Sequence, residues 1–176
     1  MGTVFNESYN RPRHWEIQDT LYNTDGTILK KYNWTNTVVN DCSKLIACLM
    51  KRQAGQTGLQ YWAVGKGSAS WNNDEPPSPT TSDTRLLVET FRKAINPSDI
   101  KFLDEGNRET ESITNKIQIT VVFTENEANG ELREFGLFGG NATGSANSGI
   151  MVNRKIHPLI YKTSGMKLER FIRITF

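Results

Sequence analysis

Gly65-Lys66-Gly67-Ser68 follows a strand-like run, the position at which a phosphate-binding loop would stand. Such a loop needs a longer glycine-flanked turn and then Lys-Ser/Thr opening a helix, so that backbone amides and the helix end face the phosphates. Here one residue separates the glycines and a proline-rich stretch follows, so they read as the end of a strand entering a turn. His14 and His157 are the only histidines, and neither has a cysteine or acid at ligand spacing. A zinc or iron site needs three or four convergent ligands, so no metal and no cofactor is expected. The Gly-x-Ser-x-Gly nucleophile elbow does not occur. Cys42 and Cys48 lie on a helical stretch, about 9 Å apart along its axis and about 120° apart around it. They cannot pair with each other while that helix is intact, and read as two small buried thiols.

Two further sets of side chains invite a role in contacts. Glu134 alternates with Leu132 and Phe138 in an apolar strand whose other face carries Phe135 and Leu137. A carboxylate buried there needs a partner. Arg92, between Phe91 and Lys93 in another strand-like run, is the candidate, giving an expected Arg92–Glu134 ion pair; an edge-strand glutamate in water is the alternative. Trp15, Trp34 and Trp62 sit in alternating runs and belong to a core, whereas Trp71 stands in a long loop beside Asn72 and Asn73 and reads as exposed. Trp71, Asn72, Pro76, Pro77 and Pro79, with Asn141 and Asn147 in a second loop, are the candidate assembly contacts. Asn-x-Ser/Thr matches at Asn6, Asn33 and Asn141 carry little meaning without a secretion signal.

The elements that would position these residues are mostly strands. Residues 1–12 are polar and read as an extended N-terminal arm, with one β-rich domain over 13–176. Trp15, Ile17 and Leu21 alternate, with a break at Asp19; Asp25-Gly26 signals a hairpin turn, and Ile28, Tyr32 and Trp34 share the next face. Val38, Cys42, Leu45, Ile46 and Leu49 then form a helical stripe, which predicts an amphipathic helix over about 37–53, capped by Asn36 or Thr37. Leu59 to Val64 is a short strand, and residues 68–83 form a proline-rich loop that cannot join a sheet interior. Leu86 to Ile95 alternates, with a helix as the rival assignment. Strands are also expected at Ile100 to Leu103, Ile117 to Phe123, Leu132 to Phe138, Ile150 to Tyr161 and Lys167 to Phe176, with a flexible loop at 141–149. This pattern predicts a mainly β protein, with sandwich-like antiparallel sheets and one helix packed on them.

Composition narrows the function classes. The chain has 176 residues, enough for a real core, with 36% hydrophobic and 23% charged residues. The net charge is +2 with both signs interspersed, which offers little long-range attraction for nucleic acid. No window suits a membrane helix, so no membrane insertion is expected. The start lacks a secretory signal, and Asn6 stands where a myristoylation signal wants Ser or Thr, so the chain is expected to be made and first folded in a cytoplasm.

The order of four segments carries a resemblance: NTVVNDCSKLIACLM, LQYWAVGKGS, TRLLVETFRKAI and ITNKIQITVVFTENEANGELREFGLFGG. Together, over roughly residues 36–176, they resemble small tail-fibre and tail-collar-like virion proteins of bacteriophages and phage-tail-like particles. The resemblance implies a non-enzymatic structural component of a tail, neck or baseplate, located in the virion and acting through subunit contacts. Its partners would be copies of itself, as a trimer or hexamer among other options, and other virion proteins. The chain stops at Phe176 with no repetitive shaft, which favours an adaptor, collar or short neck-fibre role over receptor binding. The alternative is a carbohydrate-binding host-adhesion module, which would need Trp71 exposed at a concave surface.

Overall fold

The computed structural model describes residues 15–176; the 1–12 arm, Asn6 and His14 lie outside the described residues. The chain opens with a hairpin of β1 (Glu16–Asn23) and β2 (Ile28–Thr35). Its turn is closed by Asp25, whose carboxylate accepts from the Thr27 amide at 2.8 Å and the Thr27 hydroxyl at 2.7 Å. The chain crosses at Asn36 into β3 (Thr37–Val38), and the buried Asn36 carboxamide accepts the Trp15 amide at 3.1 Å. One bent stretch therefore serves both sheets.

Helix α1 runs Asp41–Met50, beginning later than the predicted residue 37. The reason is competition for backbone groups. Thr37 and Val38 pair with Arg154 and Asn153, and the Val39 and Asn40 amides donate to the Val152 and Thr81 carbonyls. Asn40, rather than Asn36 or Thr37, stands at the helix start and makes no side-chain cap.

The remaining strands are β4 (Thr57–Gly65), β5 (Glu89–Ala94), β6 (Ile100–Leu103), β7 (Glu109–Thr110), β8 (Lys116–Phe123), β9 (Gly130–Gly140), β10 (Ile150–Lys162) and β11 (Met166–Thr175), with a short 3₁₀ turn at Pro97–Asp99. The Leu86–Ile95 run is thus a strand over 89–94 and not a helix. The strands form two antiparallel sheets, a six-stranded one ordered β2-β1-β11-β8-β6-β7 and a five-stranded one ordered β3-β10-β9-β4-β5. Among the described residues the fold is mainly β and sandwich-like, with one α-helix, as the alternation predicts.

Alternation decides what lies between the sheets. From the six-stranded sheet come Ile17 and Leu21, Leu168, Ile172 and Ile174, and Ile119, Val121 and Phe123. They meet Trp62, Val64, Phe135, Leu137, Val152 and Ile160 of the five-stranded sheet. Cys42 and Leu45 of α1 join this cluster, which closes over the helix stripe; Cys48 is half-buried on the same helix.

The five-stranded sheet also has a second, smaller core on its outer face. Leu86 sits there among Ala63, Phe138, Met151, Val39 and Ala142. The segment after the proline-rich loop therefore lies across this sheet, which explains why β9 is buried almost without interruption from Leu132 to Gly140. A strand covered on both faces reads as a continuous apolar run.

Candidate functional site: two buried ion-pair clusters and the loops they hold

The outer face of the five-stranded sheet brings together most of the residues singled out from the sequence. Glu134, fully buried, points from β9 toward the overlying chain. Its Oε1 accepts the Val88 amide at 2.9 Å and its Oε2 accepts the Leu87 amide at 3.1 Å. Oε2 also accepts Arg154 Nε at 3.1 Å and Nη2 at 2.5 Å. Arg154, on β10, reaches Asp83 Oδ2 through Nη1 at 2.9 Å. Asp83 in turn accepts from the Thr80 amide and hydroxyl, at 3.0 and 2.7 Å. Burial works to raise the Asp83 carboxyl, but Thr80 and Arg154 outweigh it and hold the group below its ordinary value. A chain of charge-assisted bonds, each stronger than a neutral one, thus fastens the end of the proline-rich loop to two central strands.

The expected Arg92–Glu134 pair does not form. Arg92 lies on β5, an edge strand separated from β9 by β4, and its nearest acid is local. It clamps Glu89 through Nε at 2.6 Å and Nη2 at 2.9 Å, and its guanidinium lies over the Phe138 ring at 4.8 Å. Glu134 instead meets Arg154 on the same outer face, because β9 and β10 are hydrogen-bonded neighbours with Glu134 opposite Ile156 and Arg154 opposite Gly136. The burial of the Glu134 carboxylate is as the sequence suggested; its partner is on β10.

The 141–149 loop, expected to be a flexible tip, makes hydrogen bonds to strand β5 and to the Leu86 segment. Arg92 Nη1 donates to the Thr143 carbonyl at 2.7 Å and to Ser148 Oγ at 2.9 Å. Asn147 Oδ1 accepts the Leu86 amide at 2.9 Å, and the Asn147 amide donates to Glu89 Oε2 at 2.7 Å. Asn141 is exposed at the start of this loop. Polar loop residues satisfy their hydrogen bonds on charged strand residues.

Trp71 is likewise not an exposed platform. Its ring lies on Gly67, where an added Cβ would fall 2.1 Å from the ring, and Arg154 sits 6.0 Å from the ring centre. Gly65 is needed for the same close fit, since a Cβ there would fall 2.5 Å from the Val88 carbonyl and 2.9 Å from Glu134 Oε1. The two glycines of Gly65-Lys66-Gly67 thus admit the loop and Trp71, and the Lys66 amide donates to the Val88 carbonyl. Asn72 accepts the Asp74 amide at 2.9 Å within the loop, Pro76 is half-buried, Pro77 is exposed, and the Pro79 carbonyl faces the Thr37 hydroxyl at 3.5 Å.

A second cluster, between the sheets, was not anticipated. Asp19 on β1 and Arg170 on β11 are both fully buried and paired by two bonds, Nε to Oδ1 at 2.7 Å and Nη2 to Oδ2 at 2.8 Å. Trp34 Nε1 donates to Asp19 Oδ2 at 2.9 Å. Arg170 Nη2 also lies 3.1 Å from His157 Nε2. A guanidinium only donates, so Nε2 accepts, and the proton on Nδ1 is given to the Pro158 carbonyl at 2.8 Å. The His157 ring lies between Trp34 and Phe135, at 5.7 and 5.9 Å between ring centres. Burial, then the Arg170 charge, pushes the imidazole well below its ordinary range and keeps it neutral. His157 faces inward in the phase of Lys155, which stands opposite the inward Phe135; β10 then bulges between Ile156 and Ile160, where Pro158 has no amide for the ladder.

The signal for this cluster lay in broken alternation. Asp19 interrupts the inward face of Ile17 and Leu21, and Arg170 occupies the inward phase of Leu168, Ile172 and Ile174. Two opposite charges at inward positions of neighbouring strands must meet or remain unpaired. Among the described residues no group of three or more His, Cys, Asp or Glu could hold a metal, and no helix is long and apolar enough to cross a membrane. A cavity of about 210 Å³ between α1 and the sheet ends is lined by apolar side chains such as Leu45, Ile100 and Ile174, and offers hydrophobic contact alone.

Compared with known proteins, the chain matches no family model, no curated protein and no solved structure.

Proposed function

We propose that this chain is a non-catalytic structural subunit of a bacteriophage or phage-tail-like particle, an adaptor, collar or short-fibre component of the tail, neck or baseplate. The observation that carries the reading is how the residues of the resembling segments are used. LQYWAVGKGS, TRLLVETFRKAI and ELREFGLFGG form the adjacent strands β4, β5 and β9, and their charged residues brace one another and the overlying loops. Arg92, Glu89, Glu134, Arg154 and Asp83 are all engaged in such bracing. A body so cross-tied keeps its shape under the load of an assembly, and a rigid protomer loses little conformational entropy on docking. The carbohydrate-binding alternative required Trp71 free for stacking, whereas its ring is packed against Gly67 and Arg154.

The test is to purify particles from a producing culture on a density gradient and probe the fractions with an antibody to this chain. Co-banding with particles, with label at the tail, neck or baseplate in micrographs, is the expected result. A chain absent from particle fractions that saturably binds cell-wall glycan as a monomer would overturn the reading.

A further inference from the structure

The two edges of the six-stranded sheet differ in charge and are alike in exposed apolar side chains. At one edge, β2 carries Lys30 and Lys31, both exposed, beside Ile28 and Leu29, which are 51% and 47% exposed. At the other edge, β7 and its flanks carry exposed Glu105, Glu109 and Glu111, beside Ile113, which is 88% exposed. These five charges form no ion pair among the described residues, whereas Glu89 with Arg92, Lys93 with Glu127, Glu134 with Arg154 and Asp19 with Arg170 are paired. Lys30 lies over its own Tyr32 ring, and near the acidic edge Arg108 is taken by Asp104 and Lys116 by Asn107. Lys101, which lines the same surface hollow as Glu109, has no such partner among the described residues. In the five-stranded sheet, by contrast, the charges of edge strand β5 are consumed internally, Glu89 with Arg92 and Lys93 with Glu127.

We infer that copies of this chain associate head to tail through these edges, the basic β2 edge of one meeting the acidic β7 edge of the next. The inference rests on the assembly role proposed above and specifies its contact. An unpaired edge strand is a template for another chain. Pairing β2 with β2 would set Lys30 and Lys31 against like charges, which is unfavourable across strands. Pairing unlike edges joins opposite charges and covers Ile28, Leu29 and Ile113. Such a heterologous contact repeats, and closes into a ring when its rotation allows.

The experiment is light scattering after size exclusion on the full chain, over a concentration series at low and high salt. The wild type should form a defined multimer that weakens at high salt. Lys30→Glu with Lys31→Glu, and separately Glu109→Lys with Glu111→Lys, should each weaken assembly at least tenfold. The fourfold variant, with both edges reversed, should restore it. All four positions are exposed, so unchanged circular dichroism and melting verify folding in each variant. A wild type monomeric at every concentration, single-edge variants that assemble normally, or a fourfold variant that stays apart would each overturn the inference. A wild-type monomer found in particles leaves the assembly role standing without this contact; a multimer missing from particles does the reverse.

Discussion

The two sheets of this molecule are built on different terms. The six-stranded sheet buries one face and gives the other to water, where Gln18 bonds Asn33 and Arg173 bonds Gln118 in a polar mesh. The five-stranded sheet is covered on both faces, by the shared core and by the Leu86 segment over Ala63, Phe138 and Met151. Each sheet contributes to a buried ion pair, but the two pairs have different tasks. Asp19–Arg170 joins neighbouring strands within the core, while Glu134–Arg154 reaches outward to hold a loop. The lesson is that a loop can serve as a third layer when a buried carboxylate supplies the acceptors its backbone lacks.

The largest effect should come from breaking the core pair. Arg170→Met alone leaves Asp19 charged and buried and should cost about 3–5 kcal/mol by urea unfolding, whereas the double change with Asp19→Leu should recover most of it. If the single variant is near neutral, the cluster is not the internal brace described. Next, Glu134→Leu should cost about 2–3 kcal/mol and open the 68–83 loop to protease, since the Leu87 and Val88 amides lose their acceptor. A double-mutant cycle sharpens the partner assignment: Glu134 with Arg154 should couple by more than about 1 kcal/mol, and Glu134 with Arg92 should be close to additive.

Gly136→Ala tests the tightness of the loop layer, because a Cβ there meets the Asn153 carbonyl at 2.9 Å and Met151 Sδ at 3.1 Å. A cost of about 1–3 kcal/mol is expected from overpacking, against less than about 0.5 kcal/mol for Gln118→Val on the wet face of the other sheet. Equal effects would erase the distinction between the sheets.

Acid offers a milder probe. The folded protein holds His157 well below its ordinary pKa, mainly by burial, so the unfolded chain binds a proton first as pH falls. The contribution is therefore intact above about pH 6.5 and is lost below it at about 1.4 kcal/mol per pH unit, until the folded-state pKa is reached. Comparing the wild type with His157→Gln between pH 7.5 and 5.5 isolates this slope; identical pH profiles would show that His157 is not held neutral.

The wet sheet was the legible one. Ile117, Ile119, Val121 and Phe123 alternate with polar residues because one face meets water, and Leu168, Ile172 and Ile174 do the same. The helix stripe was equally plain, though its start was not, since β10 and the Thr81 carbonyl take the backbone groups that would have opened it four residues earlier. The covered sheet was harder. ELREFGLFGG announced a buried strand, but a continuous apolar run does not reveal what lies on each face. The loops' anchors were hidden for a related reason: Ser, Asn, Gly and Pro do not reveal that Arg92, Glu89 and Glu134 lie beneath them.

Local order along the chain was largely legible in the sequence alone: most of the residues that extend, the stripe that becomes α1, and that Glu134, if buried, required a partner. Those outcomes depend on periodicity and desolvation, which act through near neighbours and are written residue by residue. Only the tertiary structure decided that Arg154 and not Arg92 answers Glu134, that Asp19 finds Arg170, and that Trp71 closes on Gly67. Each of those choices depends on strand order and register, which bring together positions as far apart as 151 residues; alternation can show that a charge points inward but not which partner it meets.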